Sequence, residues 1–279
     1  MTLITAPCII DGMSDSDYHS DPVEGGSLSS SGAKTILRSP AHYIWERANR
    51  VDKTTYDVGH AVHSVVLGVG AEVVQLDYDS WRTKESQAAK EDAYANGQTP
   101  ILTKDYEPIA AMSESVLAHP IARSLFEAEG KPEQSMFAQD PESGVWLRAR
   151  ADYLPDAGQG QTIIVDLKTS ISADPRDFAK SAATYGYDIQ SENYQQVLSL
   201  ARGDADTSFR FIVVEKSAPY LVSVIELDAE FAMIGRARMR RAIDIFKRCR
   251  EADEWGGYEE ISHLIGAPRW LAFEEDLVL

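Results

Sequence analysis

Cysteine is almost missing from this chain, and long apolar runs and a basic excess are missing outright. Only Cys8 and Cys249 occur in 279 residues, which excludes a disulfide framework and a cysteine-ligated iron–sulfur cluster. No apolar stretch is long enough to cross a bilayer and no apolar leader opens the sequence, so the expectation is a soluble, cytoplasmic protein with no membrane partner. Twenty-seven basic against 44 acidic residues give a formal net charge of −17. A surface of that sign repels a polyanion over any broad outer face, which excludes wrapping of nucleic acid and leaves only an enclosed or narrow path lined by local Arg and Lys. The sequence also lacks internal repeats and low-complexity linkers.

What is present is enough apolar material, 44% of the residues, for one large core, and within it a place where charge and burial conflict. Trp146 to Leu154 and Thr162 to Thr169 read as strands joined by a Gly/Gln-rich turn. Alternation puts Arg148, Arg150 and Asp152 on one face of the first strand, and Asp166 with Lys168 on one face of the second. Ile163, Ile164, Val165 and Leu167 make the second strand nearly continuously apolar. That is the pattern of a buried central strand, where an Asp and a Lys need a chemical reason. A solvated hairpin face is the ordinary alternative and fits this run poorly. Asp152 and Asp166 are oxygen ligands of the kind Mg²⁺ or Mn²⁺ prefers, and a cation between them removes their repulsion. Lys168 can orient or help deprotonate a water, or stabilise a phosphorane-like transition state. These are the parts of phosphodiester hydrolysis.

Further motifs follow the same order along the chain. Gly59-x-x-x-His63 lies on a predicted helix, with His63 rather than His60 at the Gly59 spacing. Glu133 lies on the strand entering the hairpin that ends at Asp152, with Asp140-Pro-Glu-Ser-Gly144 as its turn; seen alone it reads as an exposed strand-end carboxylate. Gln190 and Tyr194 are four apart on one helical face, with Tyr187 three residues earlier. Leu28-Ser-Ser-Ser31-Gly-Ala-Lys34 and Pro40-Ala-His-Tyr43 near the start, and Glu254-Trp255 and Pro268-Arg269-Trp270 near the end, complete the set. Asp152-x(13)-Asp166-x-Lys168 resembles the core signature of the PD-(D/E)xK nuclease superfamily, without its proline. The whole series, from about residue 25 to 272, resembles the RecE (exodeoxyribonuclease VIII) nuclease domain and its phage-encoded relatives.

The resemblance implies an α/β, restriction-endonuclease-like core with a mixed central sheet flanked by helices. It implies that His63, Glu133, Asp152, Asp166 and the Leu167 carbonyl bind one or two Mg²⁺ (or Mn²⁺) ions, that Lys168 positions the attacking water, and that Gln190 and Tyr194 orient the strand being cut. The implied activity is exonucleolytic hydrolysis of linear double-stranded DNA from 5′ to 3′, leaving 3′ single strands for recombination in a bacterial or phage-infected cell. A RecT-like annealing partner and a ring-like homo-tetramer or trimer come with it by analogy. The rival readings are an endonuclease, or a nuclease preferring single strands or RNA, on the same core, and a non-catalytic DNA-binding assembly subunit.

Candidate DNA contacts are Ser29, Ser31 and Lys34 at a helix N-terminus that could hold a phosphate, Arg148 and Arg150 beside the metal ligands, and Tyr187. Serines that merely cap the helix are an equal reading of the first group. Arg236 to Arg241 read first as a solvated helix face and second as a DNA or subunit contact. The expected organisation is a loop-like segment over 1–26 and a single domain over 27–279 with a helical insertion at about 77–130. Helices are expected at about 31–50, 59–67, 103–129 (broken near His119-Pro120), 175–201 and 229–249, with strands at about 133–139, 145–154, 161–168, 207–215 and 220–227.

Overall fold

A computed structural model describes residues 3–49, 57–70, 72–158, 160–203 and 206–267. The chain opens with β1 (Cys8–Ile10), α1 (Asp15–Ser20), β2 (Ser27–Ser29), α2 (Ser30–Arg38), α3 (Pro40–Ala48) and α4 (Asp57–Leu67). Next come β3 (Val73–Leu76), α5 (Lys84–Ala95), β4 (Thr99–Leu102), α6 (Thr103–Ala118) and α7 (Pro120–Glu127). The hairpin β5 (Gly130–Gln139) and β6 (Trp146–Pro155) precedes β7 (Thr162–Ser170), α8 (Pro175–Tyr185) and α9 (Tyr187–Arg202). β8 (Thr207–Glu215), β9 (Val222–Ile225) and α10 (Ala229–Ala252) complete the described chain.

The main sheet runs β1-β5-β6-β7-β8-β9, with β2 laid parallel along the start of β6. β5 and β6 pair antiparallel while β7 and β8 pair parallel, so the sheet is mixed, as expected. Alternation sorts its side chains into two cores. Phe209, Phe211 and Val213 of β8 pack with Ile36, Ile189, Leu198 and Phe246 from α2, α9 and α10. Ile212 and Val214 point the other way, with Val165 and Leu167 of β7, toward Val62, Ile109 and Met112 of α4 and α6. Covered on both faces, β7 must be apolar almost throughout, which is why its Asp and Lys stand out in sequence.

Several expectations need correction. The 1–26 segment is not loop-like: β1 pairs antiparallel with β5, and α1 buries Tyr18 against Phe137. The acids that made the segment read as solvated are spent on β6, where Asp21 pairs with Arg148 at 2.7 Å and Asp15 pairs with Arg150. The helix expected over 31–50 is two, because Pro40 opens a new helix after the extended Ser39. The helix expected over 175–201 breaks at Gly186, whose φ is +66°, a left-handed turn that glycine takes without strain. The 77–130 region is mainly helical, as expected, but β4 pairs with β3 in a separate two-stranded parallel sheet. The break at His119-Pro120 is present, with His119 capping α7. Pro268-Arg269-Trp270 lies outside the described residues, whereas Trp255 stacks on Tyr43 at 5.5 Å, joining the motifs from the two ends of the chain.

α9 and α10 cross closely at Gly235, where a Cβ would sit 2.5 Å from the Asp188 carbonyl oxygen. An exposed helical Gly→Ala change normally gains about 1 kcal/mol. Here the clash is with backbone and reverses the sign, so Gly235→Ala is expected to lower stability by about 1–3 kcal/mol, read as a shift in the urea midpoint.

Candidate active site

The site forms where the sheet comes apart. β6 and β7 meet in register at Tyr153 and Val165, and continuing that register would set Asp152 opposite Asp166. Toward the start of β6 the strand is instead flanked by β2, so β7 and β2 leave a fork. Alternation on β6 slips here: Ala149, Ala151 and Leu154 belong to the same core layer, with Asp152 and Tyr153 both partly exposed between them. On the other side of β6, Pro132 faces Tyr153 and Gln134 faces Ala151, which sets Glu133 across from Asp152. Glu133 has φ +51°, a left-handed conformation that costs a non-glycine residue on the order of 1 kcal/mol and recurs where a strand must re-aim a side chain. The backbone is strained to deliver a carboxylate to the fork.

His63 arrives from α4. Its Nε2 lies 2.8 Å from the Leu167 carbonyl and its Nδ1 3.5 Å from Asp152 Oδ2. The Leu167 carbonyl can only accept, so Nε2 donates to it and Nδ1 is the nitrogen left facing the carboxylates. The Leu167 amide donates to Asp152 Oδ2 at 2.6 Å. Ligand atoms of His63, Glu133 and Asp152 all lie within 4.8 Å of one another. Burial and then the Asp152 charge push the half-buried Glu133 carboxyl up to about 8. Burial, reinforced by Asp166, likewise raises Asp152, while His63 opposes the shift. Two acids held against their charge beside an imidazole are a donor set that a hard divalent cation would relieve. The Leu167 carbonyl accepts from His63 and keeps a second lone pair that a cation could use.

Asp166 is approached from α9. Gln190 Nε2 donates to its Oδ1 at 2.6 Å, and Lys168 forms an ion pair with its Oδ2. Burial pulls the Lys168 ammonium down, but Asp166 and Asp152 more than offset that and hold it above the ordinary lysine range. Paired in this way, Lys168 is placed to orient a water, to help deprotonate it or to stabilise phosphoryl charge. Tyr194 stands one turn beyond Gln190 and interacts with it, its hydroxyl pushed well up by burial.

The DNA-contact candidates fare unevenly. The Tyr187 ring lies 5.3 Å from Lys168 Nζ and stacks on Phe178 at 5.5 Å, so it backs the lysine from within an aromatic stack. Ser29 caps α2 by accepting from Gly32 at 3.1 Å, and Ser31 is exposed. Lys34 runs against Gly186, near Asp166 and Asp188, its pKa drawn down to about 8 by burial and by Lys168. Arg148 and Arg150 do share a face, but Arg148 binds Asp21 and Ser27, and Arg150 binds Asp15, Ser135 and the Met13 carbonyl. Contact with a phosphate would have to displace these partners. Arg236, Arg238 and Arg240 are tied to Glu192, Asp188 and Asp140 at 2.8–3.1 Å, which makes them struts between α10 and the core, while Arg236 and Arg241 remain exposed, as a solvated face requires. Asn193, missed in the sequence reading, is fully buried and donates to the Arg148 carbonyl at 3.0 Å; only its place three residues after Gln190 could have signalled it.

Comparisons with known proteins agree with this geometry. Among curated proteins the sequence finds no match. The crystal structure of a Eubacterium rectale protein, to which exonuclease activity has been attributed, superposes with a TM-score of 0.60 at 14% identity, covering 96% of this chain and 100% of that one. SSO0001 (TM-score 0.27, 15% identity, 77% of this chain and 82% of that one) is too distant to carry an argument. The same holds for a phenuiviridae cap-snatching endonuclease (0.21, 14%, 55% and 70%). The 0.60 superposition shows a shared fold, the restriction-endonuclease-like one that the mixed sheet and its fork suggest. The family described as a PDDEXK-like domain of unknown function, DUF3799, matches residues 29–266, a span that holds the sheet fork and every ligand in it, and to that family the chain belongs.

Proposed function

We propose that this protein is a divalent-metal-dependent deoxyribonuclease that degrades linear double-stranded DNA from its ends. The observation that carries the reading is the fork itself: His63, Glu133 and Asp152 converge on one side of β7, and Asp166 and Lys168 stand beside them, held by Gln190. His63, Glu133 and Asp152 would hold the cation, with Asp166 beside them as a further oxygen ligand. A cation bound there supplies Lewis acidity at the phosphoryl oxygens and lowers the pKa of the attacking water. Lys168 places that water and stabilises charge developing on the phosphorus oxygens. Gln190 fixes the Asp166 carboxylate so that the lysine keeps its direction, and Tyr194 braces Gln190.

The preference for DNA ends, 5′ to 3′ polarity, delivery of 3′ single strands to a RecT-like annealing protein and a ring-like oligomer extend the RecE resemblance. A narrow or enclosed path suits a chain of net charge −17. The test follows 5′-labelled linear duplex and covalently closed circular DNA in Mg²⁺ and in EDTA. Metal-dependent loss of the linear substrate alone is expected. Cutting of the circle would establish an endonuclease instead, and no cleavage of DNA in either form would refute the proposal.

A further inference from the structure

Beside the proposed site, two large apolar side chains face solvent: Ile171 is 89% exposed and Tyr185 59%. Both sit on the connection that leaves the site and returns to it. Ile171 is the third residue after Lys168, and Tyr185 is the second residue before Tyr187. The geometry of Tyr185 is built. α8 ends there, and Gly186 turns the chain in the left-handed conformation with the Lys34 side chain so close that a Cβ would sit 2.8 Å from Lys34 Cδ. The turn brings the Tyr185 ring to 5.9 Å from the Tyr187 ring at 36°. Tyr187 in turn stacks on Phe178 behind it and holds Lys168 Nζ 5.3 Å from its centroid. The aromatic stack thus runs from the buried core, past the lysine, to an exposed ring at the mouth of the site.

Resting on the nuclease reading, we propose that Tyr185 is a stacking platform for an unpaired nucleobase of the strand being cut. A base inside a duplex has both π-faces covered by its neighbours, so the occupant is an end base or one pulled out of the stack. Stacking supplies affinity without sequence preference. It is also the kind of affinity this chain needs, because Arg148, Arg150, Arg236, Arg238 and Arg240 are committed to internal carboxylates and leave less charge for gripping phosphates. An end that must fray before it is cut follows directly.

The experiment is a cycle between Tyr185→Ala and single abasic sites scanned across the first nucleotides of a linear substrate, reading kcat and KM separately. Wild-type protein is expected to lose roughly tenfold in kcat/KM when the abasic site occupies the stacked position. Tyr185→Ala should lose as much on intact DNA and nothing further on the abasic substrate, while Tyr185→Phe keeps the wild-type response. Penalties that multiply, or a Tyr185→Ala protein that cleaves normally, overturn the inference while leaving the nuclease reading intact. A changed oligomeric state with an unchanged abasic response overturns it in favour of a protein contact at Tyr185. A wild-type protein that cleaves nothing removes both readings together.

Discussion

Asp166→Asn is expected to reduce DNA cleavage by about 10³-fold or more, with the fold retained. The change keeps the shape of a side chain that is 3% exposed and can preserve the hydrogen bond with Gln190 through an amide flip. What it removes is the negative charge that holds the Lys168 ammonium in place and would complete the cation's ligand set. Loss of one preorganised electrostatic group in such a site costs about 10²- to 10³-fold, and here two functions fall together. Lys168→Ala should match it in activity but differ in stability. It leaves a buried carboxylate facing Asp152 without its partner, a change that typically costs about 3–5 kcal/mol, and Mg²⁺ should restore part of that loss because a cation can replace the ammonium. Single-turnover cleavage with excess enzyme, paired with urea melts in EDTA and in Mg²⁺, separates the two variants. Retention of more than a tenth of wild-type cleavage by Asp166→Asn would remove Asp166 from the mechanism.

Glu133→Gln should trade metal affinity for stability. In the metal-free protein Glu133 is pushed up to about 8 by burial and by Asp152, with Asp15 and Asp166 acting in the same sense and Arg150 against it. The folded state thus binds this proton more tightly than the unfolded chain, where the group titrates near 4.5. The unfolded state therefore binds fewer protons between those values, and the contribution of Glu133 to stability falls as pH rises from about 4.5 to about 8. Glutamine carries no charge to desolvate, so the variant should melt higher than wild type in EDTA, by a margin that widens across that window. The same substitution removes a ligand and should weaken Mg²⁺ binding at least tenfold, reversing the order of melting temperatures once metal is added. Thermal melts at several pH values, with EDTA and with Mg²⁺, read both effects. A wild-type protein that gains stability over that pH range relative to the variant would show that Glu133 is not held against its charge.

Both variants probe the same tension. Five groups that would repel or desolvate one another (His63, Glu133, Asp152, Asp166, Lys168) are assembled at a fork where the backbone is itself strained at Glu133. The surrounding core pins them there: Leu167 and Val165 belong to one apolar layer and Ile164 to the other, so β7 cannot rotate to carry its charges into solvent. Stability given up at the site is stability that a bound cation can return.

The acidic charge is distributed with similar logic. Asp15, Asp21, Asp140, Asp188 and Glu192 each pair with an arginine of β6 or α10. Much of the chain's arginine is therefore structural, and the remaining acids give the exterior its sign. That is why composition alone argued against broad DNA binding while saying nothing about a confined site.

The central strand and its chemistry were legible in the order of residues alone. An apolar run interrupted by Asp166 and Lys168 has few physical solutions, and alternation, helical spacing and the Asp140–Gly144 turn placed Asp152, Gln190, Tyr194 and the hairpin on the right elements. It also carried the two-faced core, because β7 and β8 are apolar on both sides. The other features depend on how distant segments pack. Glu133 read alone as an exposed strand end, because its left-handed φ and its place across from Asp152 depend on strand pairing. The N-terminal acids read as a solvated loop, because their arginine partners lie more than a hundred residues away. Arg148 and Arg150 read as free cations for the same reason, and Tyr187 as a DNA contact, because the Phe178 and Phe211 rings that enclose it come from other elements. Periodicity reports which face a side chain takes; what waits on that face is set by contacts between distant segments, and no local pattern encodes them.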